Sequence, residues 1–191
     1  MKFLLRFLGF VLQLISSLGI CLIIAFLAFP IFGLQWNESN SLPLGIYQKI
    51  SKEKLEVGDI VVFCLSGKTA ELTLQRRYVE PVWINKKCEL QLKPLMKPIA
   101  AIENDEISQS SDGIFVNQKL LANSKTLEKD GRGREMPKIV LPPNVPKNSL
   151  LLISSYNPNS WDSRYYGVIP TEAVISIVRP LLTFEFHGLK K

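Results

Sequence analysis

Histidine is almost absent from this chain: the single His187 stands near the C-terminal end of 191 residues. A Ser-His-Asp triad needs an imidazole held in the core, and a His-rich zinc site needs several, so both are excluded. Any hydrolytic chemistry must use another base, and neither a metal nor another cofactor is expected. The chain also lacks a dense basic stripe. Lys and Arg number 23 against 17 Asp and Glu, but Lys2 and Arg6 precede an apolar run, and the other basic residues are interspersed with acids, as in Lys49 to Lys54. Nucleic acid is therefore not an expected partner. No internal repeat, low-complexity block or long amphipathic helix follows residue 34, and the length excludes a large multidomain enzyme.

What is present is unevenly distributed. From Phe7 to Leu34 the chain carries no charge, interrupted only mildly by Gln13, Ser16 and Ser17. About 20 helical residues cross a hydrocarbon core of about 30 Å, so this run is long enough to span. Lys2 and Arg6 resemble the n-region of a signal peptide, and Ala25 to Ala28 offers small residues. The run is nevertheless well beyond the ~7–15 residues of an h-region, which favours a retained anchor. The positive tip favours an inside N-terminus and an outside C-terminal domain, although Lys49, Lys52 and Lys54 blunt the asymmetry.

Beyond the anchor, short apolar runs rich in β-branched residues alternate with turn formers. They are Ile60 to Cys64, Lys97 to Ile102, Gly113 to Val116, Leu150 to Ile153 and Ala173 to Val178. This pattern predicts a mainly β domain of Greek-key or barrel-like character over 35–191, following an anchor over 1–34. A short helix is expected near Ala70 to Arg77. Residues 123–149, rich in Lys, Gly, Arg, Pro and Asn, read as a long loop excursion.

The chemistry-bearing residues form an ordered series. The apolar span is followed by Ser41-Leu42-Pro43-Leu44-Gly45-Ile46-Tyr47, then Gly58-Asp59-Ile60-Val61-Val62-Phe63. A Lys in an extended segment comes next, and then Asn159-Ser160-Trp161-Asp162-Ser163-Arg164-Tyr165-Tyr166-Gly167. An extended chain covers at most about 3.6 Å per residue, so Ser41 lies within roughly 25 Å of the end of the span. By itself Ser41 could simply open a Pro-Gly turn. The ordered series resembles the type I signal peptidase superfamily of Ser-Lys serine peptidases, and most of all the TraF-type peptidases of conjugative transfer, whose nucleophile box is similar to Ser-x-Pro-x-Gly-x-Tyr.

That resemblance implies Ser41 as nucleophile and Lys97 as general base. Lys93-Pro94 competes with Lys97-Pro98, and strand parity does not separate positions four apart. In the family the base stands eight residues before the Asp of a Gly-Asp pair, which matches Lys97 and Asp105, with Asn104 in place of the Gly. A working base must be neutral. For Lys this requires a downward shift of about 3 units, about 4 kcal/mol against the ammonium form, which apolar burial can supply. The resemblance further implies that the Ser41 N–H and the Ser39 hydroxyl bind the oxyanion. It makes Ser160 a partner of the Lys ammonium, Asp162 and Arg164 a buried bracing ion pair, and Cys64 with Cys88 a disulfide. Cys21, inside the span, reads as a packing residue. Gly58-Asp59 reads as a turn, and Trp161, Tyr165 and Tyr166 as packing or membrane-facing aromatics.

The function implied is a serine endopeptidase in a bacterial inner membrane, crossing once, with its catalytic domain in the periplasm. Its implied partners are the lipid bilayer and a membrane-tethered pilin or preprotein substrate. Alternatives are a general signal peptidase, disfavoured by a Ser-to-Pro spacing one residue shorter and by the modest length, a non-catalytic anchored assembly factor, and a tethered periplasmic binding domain.

Overall fold

The computed structural model describes residues 2–82 and 87–184; His187 lies outside the described residues. The chain divides into two units, Met1–Gln35 and Trp36–Lys191. The first is dominated by helix α1 (Lys2–Ile31), with Pro30 in its last turn and Gly33 at φ 68° just beyond it. The stretch Gly9–Ile31 has a mean hydropathy of 2.5. Its 23 residues rise about 35 Å at 1.5 Å each, enough to cross a bilayer core. A membrane anchor and a signal sequence both have this length and composition.

The second unit is mainly β, in agreement with the sequence pattern. Its strands are β1 (Leu34–Asn37), which begins in the first unit, β2 (Leu44–Ile50), β3 (Ile60–Phe63), β4 (Leu95–Ala101), β5 (Ile107–Ser110), β6 (Gly113–Val116), β7 (Lys119–Leu120), β8 (Ser149–Leu152), β9 (Ile169–Pro170) and β10 (Val174–Phe184). One sheet has the order β1-β2-β10-β3-β4-β8-β9, and β5-β6-β7 form a small antiparallel sheet. Helix α2 (Gly67–Gln75) follows β3, beginning three residues before the expected position, and α3 (Ser163–Tyr166) is a single turn.

The C-terminal strand β10 inserts between β2 and β3, antiparallel to both. Residues far apart in sequence thereby become neighbours. Strand β2 is an element that the sequence pattern does not single out, because Pro43 and Gly45 give its start the character of a turn. Gly45 sits opposite Thr183 at φ 142°, and a Cβ there would lie 2.1 Å from the Leu182 carbonyl oxygen. The backbone of β10 occupies the space a side chain would need. Gly45→Ala is therefore expected to cost about 2–3 kcal/mol, visible as a lower urea midpoint.

The main core gathers Val61, Phe63, Leu92, Leu95, Ile99, Leu150, Leu152 and Tyr165, and a second cluster gathers Ala101, Ile107, Ile114, Leu151 and Ile153. The 123–149 segment is irregular, as expected, but it is not a solvated excursion. Leu127 and Met136 pack on the main core, while Leu141 and Val145 are buried in the second cluster. Asp130 accepts from the Tyr78 hydroxyl at 2.7 Å and pairs with Arg134, and Arg76 donates to the Glu135 carbonyl. These apolar anchors and hydrogen bonds to the rest of the domain are what composition alone does not reveal.

Candidate active site

Ser41 lies in the turn between β1 and β2, where no sheet ladder holds the backbone. Side chains hold it instead. The Asn37 amide donates to the carbonyls of Ser39, Leu42 and Pro43 at 3.0–3.2 Å, and its Oδ1 accepts from the Ser39 N–H. Asn37 is 5% exposed, so these bonds are largely shielded from water. The Tyr47 hydroxyl closes the far side on the Pro43 carbonyl at 2.8 Å, and burial pushes its pKa up to about 12. Asn157 adds a bond from its amide to the Asn40 carbonyl.

Lys97 projects from the middle of β4, opposite Val61 of β3. It shares the odd-numbered face of that strand with Leu95 and Ile99, so the pleat directs it toward the apolar interior. Only 4% of the residue is exposed. Burial lowers its pKa to about 8, the Asp162 charge acting against this shift and the Arg164 charge with it. Among the described residues no ion pair includes Lys97. Lys93 differs in each respect: it precedes β4, is only partly buried, with its side chain 40% exposed, and pairs with Glu38. The two lysines that strand parity leaves equivalent therefore occupy opposite environments.

The box around residue 160 completes the cluster. The Ser160 hydroxyl donates to Ser41 Oγ at 3.2 Å, whereas the family resemblance expects it on the lysine ammonium. Asp162 and Arg164 are both fully buried and paired through two bonds, Nε to Oδ1 at 2.8 Å and a terminal nitrogen to Oδ2 at 2.9 Å. The remaining guanidinium donors reach the carbonyls of Asn123, Lys125, Pro158 and Ser160. Full use of the planar five-donor fork explains why Lys cannot replace Arg here. Asp162 also caps α3, accepting from the Arg164 N–H.

Ser39 is placed differently from Ser160. It is exposed, and its hydroxyl donates to Asn37 Oδ1 at 2.9 Å. An oxyanion-binding role would require that hydroxyl to exchange its partner when substrate arrives. Asn104 adopts φ 72°, the left-handed conformation for which Gly is usual, and this accounts for the Asn-Asp pair at the turn after β4. Trp161, Tyr165 and Tyr166 are buried and pack together, with Trp161 stacked on Tyr165 at 5.6 Å and edge-on to Tyr166 at 5.8 Å.

Cys64, just after β3, and Cys88 form a disulfide with a Cα–Cα distance of 5.2 Å. The bridge ties the end of β3 to the chain that leads into β4 and Lys97. It closes a loop with a sequence separation of 24. Removing it in a Cys64→Ser, Cys88→Ser double variant is expected to cost about 3 kcal/mol by the chain-entropy relation, measurable as a lower Tm.

The domain thus holds a buried lysine of lowered pKa that feels the charges of Asp162 and Arg164, and two serine hydroxyls linked to each other. Residues 5–182 match the family model described as signal peptidase, peptidase S26. The chain belongs to the signal peptidase S26 family. As a member of that family it is a peptidase by class. It is 29% identical over 169 residues to a plasmid transfer protein TraF of Escherichia coli, covering 87% of this chain and 92% of the relative. A conjugal transfer protein TraF of Agrobacterium tumefaciens (strain 15955) is 30% identical over 157 residues, covering 80% and 84%. Among solved structures, a signal peptidase I from Enterococcus faecalis V583 matches 66% of this S26 chain and 98% of its own, at 15% identity and a TM-score of 0.37.

Sequence reasoning on this S26 peptidase missed three residues of the cluster: Asn37, Ser154 and Asn157. Asn37 had a local signal, since an Asn two residues before a Ser in a turn commonly bonds that residue's backbone. Ser154 and Asn157 had none, because their partners Ser41 and Asn40 lie more than a hundred residues away.

Proposed function

We propose that this protein is a membrane-anchored serine endopeptidase that uses Ser41 and Lys97 to process an exported pilin precursor of a conjugative transfer system. Neutral Lys97 takes the Ser41 proton as Oγ attacks the scissile carbonyl. The ammonium then protonates the departing amine, which leaves an acyl-enzyme on Ser41. Water resolves that ester by giving its proton to Lys97. The precursor's own N-terminal amine, attacking the same carbonyl, would yield a cyclic product instead. The Ser41 N–H and Ser39 are the proposed oxyanion donors.

The observation that carries this reading is the burial of Lys97, with a pKa near 8, on the domain that also holds the linked hydroxyls of Ser41 and Ser160. An ordinary surface lysine would be charged and could not accept a proton at neutral pH. The TraF names of the relatives favour a conjugative substrate over general preproteins. The apolar α1 fits a single-pass anchor in a bacterial inner membrane with the catalytic domain in the periplasm, an oxidising compartment compatible with the Cys64–Cys88 bridge.

The test is mass spectrometry of a candidate pilin precursor incubated with the full-length protein in proteoliposomes. Cleavage that Ser41→Ala abolishes is expected, and a product one water lighter than the linear peptide identifies cyclisation. A pilin precursor left intact while a general preprotein is cleaved would assign the protein to leader-peptide removal. Both left intact would leave an assembly factor.

A further inference from the structure

Ser154 has no part in the chemistry described so far, yet it is fully buried beside that chemistry. It follows β8, which pairs with β4 through Ile99 and Leu152. Continuing that register by two residues places Ser154 opposite Lys97. Its hydroxyl donates to the carbonyl of Ser41 and accepts from the Asn157 N–H at 3.3 Å. Its own N–H donates to Asp162 Oδ2 at 3.2 Å. Asn157, three residues on, holds the neighbouring Asn40 carbonyl.

Building on the Ser41–Lys97 reading, we propose that Ser154 is a positioning residue that fixes the main chain of the nucleophile and links it to the buried Asp162–Arg164 pair. Ser41 sits in a turn, so its backbone torsions are not set by a strand. A hydrogen bond to its carbonyl restrains the peptide plane that follows it, and with it the direction of Oγ and of the Ser41 N–H. The restraint is directional because both functions of the Ser154 hydroxyl are committed, one proton to Ser41 and one lone pair to Asn157. The ion pair thus reaches the nucleophile by two routes: Asp162 through Ser154 to the Ser41 carbonyl, and Arg164 through the Ser160 carbonyl to the residue whose hydroxyl meets Ser41 Oγ. Misplacement of a reacting atom by about 1 Å can cost on the order of 100-fold in rate.

The experiment measures steady-state cleavage by the full-length protein in proteoliposomes for Ser154→Ala, Ser154→Thr and Ser41→Ala, with Tm recorded for each. Ser154→Ala is expected to lower kcat about 10- to 100-fold with KM within twofold. Ser154→Thr, which keeps the hydroxyl, is expected to recover kcat to within about threefold of the parent. A purely structural serine would lower Tm without this split or this recovery. Unchanged kcat in Ser154→Ala with a dead Ser41→Ala would overturn the positioning role alone. An active Ser41→Ala would overturn the nucleophile assignment, and the positioning role with it. Should the alanine variant fail to fold, Ser154→Cys, which keeps the volume but offers only a weak donor, carries the same expectation of lowered kcat with KM within twofold.

Discussion

Lys97→Ala is expected to reduce precursor cleavage by at least about 10³-fold, with Ser41→Ala as inactive and Lys93→Ala close to the parent. The contrast between the lysines follows from their surroundings, since Lys93 is half-buried and paired with Glu38 while Lys97 is buried. The same burial sets the pH dependence. Because the neutral amine is the working form, kcat/KM should climb with pH and level off above about pH 8, the value to which burial lowers Lys97. A profile still rising at pH 10 would contradict the assignment.

Stability carries the same signature with a definite sign. Between about pH 8 and the ordinary lysine value of 10.5, the unfolded chain binds the proton that the folded chain refuses, so folding stability rises with pH through that window. Below it the full cost applies, about 3 kcal/mol for a shift of this size. Lys97→Met should remove that pH dependence and raise the unfolding free energy near pH 7 while abolishing cleavage. Urea denaturation across pH 7 to 11 measures both effects.

Arg164→Met is expected to destabilise the domain by about 3–5 kcal/mol, because it leaves the Asp162 carboxyl buried without its partner. Four backbone carbonyls also lose a donor, including those of Asn123 and Lys125 at the start of the irregular segment and that of Ser160. Arg164→Lys should recover little, since an ammonium cannot reproduce the two bonds to the carboxylate and the four to the carbonyls. Thermal unfolding provides the measurement. A Tm within a few degrees of the parent for Arg164→Met would show that the pair does not brace the domain.

Much of this protein was decided locally. The uncharged run to Leu34 determines a long apolar helix by composition alone, and β3, β4, β6 and β8 declare themselves through β-branched runs bounded by turn residues. Ser41, Lys97 and the Ser160 to Arg164 box were legible as an ordered pattern, although parity could not separate Lys97 from Lys93. Burial separated them, and burial depends on what packs over β4. Strand β2 escaped notice because its Pro and Gly resemble a turn when β10, which forms its ladder partner and requires a glycine at position 45, lies more than 120 residues away. The 123–149 segment read as solvated because Tyr78, Arg76, Tyr165 and Arg164, which bond its backbone and the Asp130 side chain, lie outside it. Ser154 and Asn157 carry no pattern of their own. The physical reason is the same in each case: periodicity and turn chemistry act over a few residues, whereas desolvation of Lys97 and the holding of Ser41 arise only when β4, β8 and the β1–β2 turn are brought together.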